Sequence, residues 1–170
     1  ADLMAIDYEM CEDPKHRDLA VMTDPETGNE ISRYYYKPQT ADDLLKAHEL
    51  IVTATALGDG YIPLAHDIGA DALNAIEITA NMMGNSDYIK RISDYRQVLQ
   101  DQDLATCAGV TDVKGDRMLR PSDPGQAHPD FNLRVVERND EGIIVRGSKI
   151  HITGAAYCND IIAIPCHAMT

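Results

Sequence analysis

The spacing of apolar and polar positions changes twice along this chain, and the changes divide it. Residues 1–40 mix short apolar runs with turn residues. "DLMAIDYEMCEDP" reads as a short helix ended before Pro14. "TDPETGN" is punctuated by Pro25 and Gly28, and "EISRYYYK" after it is rich in β-formers, so a small hairpin or an extended arm is predicted. From Thr40 the spacing becomes helical. "TADDLLKAHELIVTATALG" opens on an N-cap threonine, carries acids in its first turn and stops at a glycine. Leu44, Ala47, His48, Ile51 and Ala54 fall at helical spacing within it. A second helix is predicted from about Leu64 to Met83, ending at Gly84. A third starts at Ser86 with Ile89, Ile92, Tyr95 and Leu99 on one face. Beyond Gln102 the pattern turns to strands. "NLRVVER", the turn "NDEG" and "IIVRG" predict a hairpin with Gly142 where φ must be positive, and "SKIHITG" and "DIIAIP" read as further strands.

The predicted class is therefore α+β: a helical first part, then the opening strands of a β domain, with "VTDVKGDRMLRPSDPGQAHPD" as the junction. Composition adds exclusions. At 170 residues, with 44% hydrophobic and 25% charged positions, the chain is of ordinary globular make-up. It has no apolar run near the ~20 residues of a membrane span, and no signal segment opens it, so the expected location is cytoplasmic. A net charge of −13 argues against a nucleic-acid partner, which would need clustered cations. Cys11, Cys107, Cys158 and Cys166 form no CxxC pair and read as free thiols. An opening on Ala1 and a stop at "IIAIPCHAMT" suggest a fragment or a processed piece.

Against that acidic background one stretch stands out. "VTDVKGDRMLRPS" gathers Lys114, Arg117 and Arg120 around Gly115 and Asp116. The cations offer charge-assisted donors, Thr111 a hydroxyl, and Gly115 a close backbone approach to an anionic ligand. The alternative is a solvated turn whose Asp116 pairs with its own arginines. In "SKIHITG", a strand would put Lys149, His151 and Thr153 on one face. "GYIPLAHDIGAD" supplies Tyr61, His66 and Asp67 at a helix start, where His66 is either a general base or a satisfied structural residue. Walker, GxGxxG and G-x-S-x-G signatures are all absent.

"DVKGDRMLRPS" followed by "HPDFNLRVVERNDEGIIVRGSKIHITG" resembles the FAD-binding core of the 4-hydroxybutyryl-CoA dehydratase and 4-hydroxyphenylacetate 3-monooxygenase family, flavoproteins with the acyl-CoA dehydrogenase-like fold. The resemblance runs from Ala1 to Thr170. It implies a mainly helical N-terminal domain over residues 1–106, then the first strands of an antiparallel β-barrel domain over 107–170. The family's C-terminal helical bundle is absent from this chain. It also implies that Thr111, Asp112, Val113, Lys114, Gly115, Asp116 and Arg117 contact FAD. His151, Ile152 and Thr153 would lie along the isoalloxazine, Thr153 near its reactive edge. The dehydratase branch carries two cluster-binding cysteines four residues apart where this chain has Pro63 and Asp67 or their neighbours, which argues against a [4Fe–4S] cluster. The monooxygenase branch has a substrate-binding histidine where Ala108 stands; Tyr61 and His66 are the nearby candidates for substrate contact. No catalytic residue is assigned. The implied reaction is flavin redox chemistry on a small organic substrate, an acyl-CoA thioester in preference. One alternative is a reduced-flavin monooxygenase acting on a phenolic acid with a flavin reductase as partner. The other is a non-catalytic split subunit or scaffold. Family members form tetramers, so a homo-oligomer is expected.

Overall fold

The structure is a computed structural model that describes residues 2–63 and 66–165. Helix α1 (Asp2–Glu12) is followed by the short α2 (Arg17–Ala20) and the strands β1 (Val21–Thr23) and β2 (Glu30–Ser32). Three longer helices come next, α3 (Ala41–Leu57), α4 (Asp67–Met83) and α5 (Ser86–Gln102). The strands β3 (Thr106–Gly109), β4 (Arg134–Asn139), β5 (Gly142–Arg146) and β6 (Asp160–Ala163) complete the described chain.

The helix boundaries follow local chemistry. Thr40 caps α3 in a reciprocal box: the Asp43 amide donates to Thr40 Oγ1 at 3.2 Å, and the Thr40 amide donates to Asp43 Oδ2 at 2.9 Å. Asn85 caps α5 by accepting the Tyr88 amide, and α4 ends at Gly84 in the left-handed conformation. Helix α4 itself starts at Asp67; Leu64 and Ala65, where its start was expected, lie outside the described residues. The hairpin β1–β2 forms as expected, because Asp24 organises its turn by accepting the Glu26 amide and the Thr27 hydroxyl.

Two compact units result. The first comprises residues up to Cys107 together with Gly154–Asp160. One core in it gathers Ile6, Met10, Ala20, Leu50 and Ala54, with Leu19, Val21 and Tyr34 against it. In α3 the buried positions are Leu50 and Ala54, while Leu44 is 60% exposed and His48 is exposed. The expected face was thus rotated: α3 is apolar on most of its circumference, so spacing alone does not select the inward stripe. Between α4 and α5, Arg96 Nη2 donates to Glu77 Oε2 at 2.6 Å and to Asn74 Oδ1 at 2.9 Å, with Lys37 Nζ 2.5 Å from Glu77 Oε1. The pair is almost fully buried, and Glu77 stays below its usual carboxylate range despite that burial, because both cations hold its charged form.

The second unit comprises Ala108–Thr153 and the stretch from Ile161. Its hairpin β4–β5 is antiparallel, with Arg134 opposite Arg146. Asp130 resolves that like-charge pairing by meeting Arg134 Nη2 at 2.9 Å and Arg146 Nε at 2.8 Å. Charge is unevenly shared. The first unit has 8 Lys/Arg against 21 Asp/Glu, the whole net charge of −13, while the second has 7 against 7. Sheet is confined to three two-stranded pairs, β1–β2, β3–β6 and β4–β5, and no closed barrel forms among the described residues. In β3–β6 the bonds advance in step, from Asn159 and Asp160 N to Ala105 O, then from Ile164 N to Gly109 O. That pair therefore runs parallel, unlike the antiparallel strands expected.

Candidate functional site

The cation-bearing loop lies in the second unit, and its entry is pinned from below. Asp112 is 2% exposed and forms an isolated antiparallel bridge with Lys149, while the Ile150 amide donates to Thr111 O at 2.9 Å. Lys149 Nζ sits 2.6 Å from Asp112 Oδ1 and donates to Val110 O at 2.9 Å and Ile164 O at 2.6 Å. The sequence places Lys149 as a cation on one strand face with His151 and Thr153. Instead its charge and donors are spent inside the unit, fixing where the loop begins.

Beyond that pin the backbone takes two successive left-handed residues, Lys114 at φ 74° and Gly115 at φ 52°. The second must be glycine, because a Cβ there would strike the Gln126 side chain and reach Phe131 Cδ2 at 2.7 Å. The Lys114 amide donates to Phe131 O at 3.2 Å. Gln126 holds the next residue twice, accepting the Asp116 amide at 3.0 Å and donating to Asp116 O at 2.8 Å. Asp116 does not pair with its own arginines; its Oδ1 accepts the Met118 amide at 2.9 Å. Among the described residues Lys114, Arg117 and Arg120 make no ion pair, and Arg117 and Arg120 are exposed. The loop is thus rigid in backbone and open in charge.

"SKIHITG" is not a strand. Lys149 makes a single bridge, His151 sits at φ 56°, and Thr153 and Gly154 begin a turn closed by Tyr157 N and Cys158 N on Gly154 O. A left-handed residue breaks the two-residue alternation, so Lys149, His151 and Thr153 share no strand face. His151 and Thr153 are exposed, and Ile152 is half-buried.

In the first unit, Tyr61 is 68% exposed whereas His66 is 2% exposed. His66 is ringed by Tyr8 and Tyr35 edge-on and by Tyr34 stacked at 5.7 Å. Its partner is not Asp67. Nδ1 lies 3.4 Å from Asp7 Oδ2, and Nε2 lies 3.3 Å from Asp103 Oδ1 as a close charge pair rather than an aligned hydrogen bond. Burial would depress this imidazole, but the two carboxylates outweigh it and hold its pKa up at about 9. Tyr34 donates to Asp7 Oδ1 at 3.1 Å and, desolvated beside that charge, keeps its proton well above the usual phenol range. A buried imidazolium with two carboxylates ties together α1, the start of α4 and the end of α5.

Sequence reasoning missed Gln126, Asp7, Asp103 and Asn132. Gln126, Asp7 and Asp103 act across long sequence separations and carry no local signal, apart from Asp103, whose position just after a helix permits its left-handed φ of 47°. Asn132 is 6% exposed, and its Oδ1 has no partner among the described residues. A dinucleotide such as FAD fits this unit: among the described residues three cations stand without counter-ions, and the buried Asn132 Oδ1 is left to accept from a ligand hydroxyl or N–H.

Residues 1–170 match the family described as 4-hydroxyphenylacetate 3-hydroxylase N terminal. The chain is 35% identical to the 4-hydroxybutyryl-CoA dehydratase/vinylacetyl-CoA-Delta-isomerase of Clostridium aminobutyricum, over 98% of this chain and 34% of the relative. It is 31% identical to the FADH2-dependent monooxygenase TftD of Burkholderia cepacia, over 98% of this chain and 33% of the relative. Among solved structures, an oxygen-tolerant archaeal 4-hydroxybutyryl-CoA dehydratase from N. maritimus superposes with a TM-score of 0.82 at 26% identity, covering 99% of this chain and 33% of that one. The oxygenase component of 4-hydroxyphenylacetate 3-monooxygenase complexed with FAD superposes with a TM-score of 0.73 at 26% identity, covering 87% and 30%. The chain spans about a third of the length of these relatives, which are enzymes. The chain belongs to the 4-hydroxyphenylacetate 3-hydroxylase N-terminal family.

Proposed function

We propose that this chain is the N-terminal part of an FAD-dependent enzyme, in which the loop Thr111–Arg117 holds the cofactor and the turn His151–Thr153 lies beside its ring. The observation that carries the reading is the loop itself: a backbone fixed by Asp112, Lys149, Phe131 and Gln126 in which Lys114, Arg117 and Arg120 meet no counter-ion among the described residues. Bound FAD would supply electron transfer to or from a small organic substrate. The chain's own residues bind and orient it: the cations match its pyrophosphate, and Gly115 lets Gln126 and Phe131 pack against the loop that carries them. Tyr61 is the exposed candidate for substrate contact in the first unit. His66, buried and doubly paired, is not retained in that role.

The preferred substrate class is an acyl-CoA thioester, in line with the 35% identity to a dehydratase acting on such an ester. The second reading is a reduced-flavin monooxygenase that hydroxylates a phenol and is served by a flavin reductase, favoured by the likeness to an FADH2-dependent monooxygenase. The full-length protein that carries this chain, loaded with FAD, separates them. Absorbance changes on adding acyl-CoA esters, with no product from phenols, support the first. Hydroxylated phenol formed only with a reductase, a nicotinamide cofactor and oxygen supports the second and overturns the first.

A further inference from the structure

We infer that Gln126 is a positioning residue for the cofactor loop, a side chain that substitutes for a missing β-ladder partner. This rests on the reading of Thr111–Arg117 as the FAD loop. A residue at φ 74° followed by one at φ 52° lies outside any regular strand, so the Asp116 N–H that follows finds no backbone acceptor among the described residues, and Asp116 O takes from the backbone only the Leu119 amide of its own turn, at 3.3 Å. The Gln126 amide supplies the missing acceptor and a second donor to the carbonyl. Its Oε1 accepts the Asp116 N–H at 3.0 Å, and its Nε2 donates to Asp116 O at 2.8 Å and, at 3.4 Å, to Arg120 O. The contacts bridge ten residues of sequence, and the same side chain packs where a Gly115 Cβ would otherwise stand. Two of the three unpaired cations, Lys114 and Arg117, flank this clamp, and Arg120 O is its third contact. Only glutamine meets all the demands. Glutamate keeps the acceptor but cannot donate to Asp116 O, asparagine is one methylene shorter, and alanine offers neither group.

The residue touches backbone rather than cofactor, so its effect is on geometry: without the clamp, Gly115 and its neighbours sample other conformations and the cations lose their common aim. In the full-length protein, Gln126→Ala and Gln126→Glu are compared with wild type in three measurements. These are FAD affinity by titration, the visible circular dichroism of bound flavin, and hydrogen exchange of the apo protein over residues 114–119. The expected result is an FAD affinity at least about tenfold weaker in Gln126→Ala, from loss of two or three hydrogen bonds. An altered flavin dichroism and faster exchange confined to residues 114–119 should accompany it. Gln126→Glu covers the case in which alanine prevents folding, and it should also weaken binding. Wild-type affinity and dichroism in either folded variant overturns the inference while leaving the flavin reading intact. Failure of the wild type to bind FAD overturns the flavin reading itself, and unchanged exchange over 114–119 in Gln126→Ala would then overturn the clamp as well.

Discussion

Lys149 Nζ lies 2.6 Å from Asp112 Oδ1, with the carboxylate buried and the lysine side chain only 12% exposed. A buried charge left alone costs far more than the pair contributes, because nothing replaces its lost hydration. Lys149→Met should therefore destabilise the protein by about 3–5 kcal/mol. Adding Asp112→Asn should recover part of that loss, since it removes the buried negative charge that Lys149 balances. Thermal unfolding of the two single variants and the double variant measures the coupling. Strictly additive effects would mean that the pair is not the pin of the loop.

Gly115 makes a second, separable prediction. At φ 52° an alanine carries left-handed strain, and its Cβ would collide with Gln126. Gly115→Ala should weaken FAD affinity about tenfold or more, from ~1–3 kcal/mol of strain added to the clash. Gly28→Ala is the control. It bears a φ of 76° with open space around it, in the first unit's hairpin. It should lower stability slightly and leave FAD affinity unchanged.

His66 predicts an alkaline weakness. Its pKa is about 9 in the folded protein, against about 6.5 for an ordinary histidine. A group whose pKa is raised by folding contributes stability that is complete below the unfolded value and lost as pH rises through the folded one. Stability should thus fall between pH ~6.5 and ~9 by a few kcal/mol in wild type. Urea unfolding across that range should be markedly flatter for His66→Gln. Equal slopes in the two proteins would contradict the paired imidazolium.

Local chemistry made the helices readable in advance. Thr40, Asn85 and Gly84 are caps whose function is settled within four residues, and the turn at Asp24 is of the same kind. The cation loop was also visible, because a basic cluster in an acidic chain is improbable from composition. What could not be read was pairing at a distance. Nothing near Lys149 announces that its charge meets Asp112, and nothing near Gln126 announces Asp116. The left-handed turn at His151 was hidden for another reason: "SKIHIT" has good β-propensity, and tertiary context overrode it. The inward face of α3 was lost because apolar residues surround that helix.

Titration of FAD into the full-length protein bears most directly on whether the open cations hold a flavin. Wild type is compared with the variant Lys114→Gln/Arg117→Gln/Arg120→Gln, which removes the three charges and none of the backbone bonds that fix the loop. Saturable binding by wild type, weakened at least about tenfold in the variant and further by added salt, is the predicted result. A wild-type protein that stays colourless in excess FAD, or a variant that binds as tightly as wild type, would contradict it.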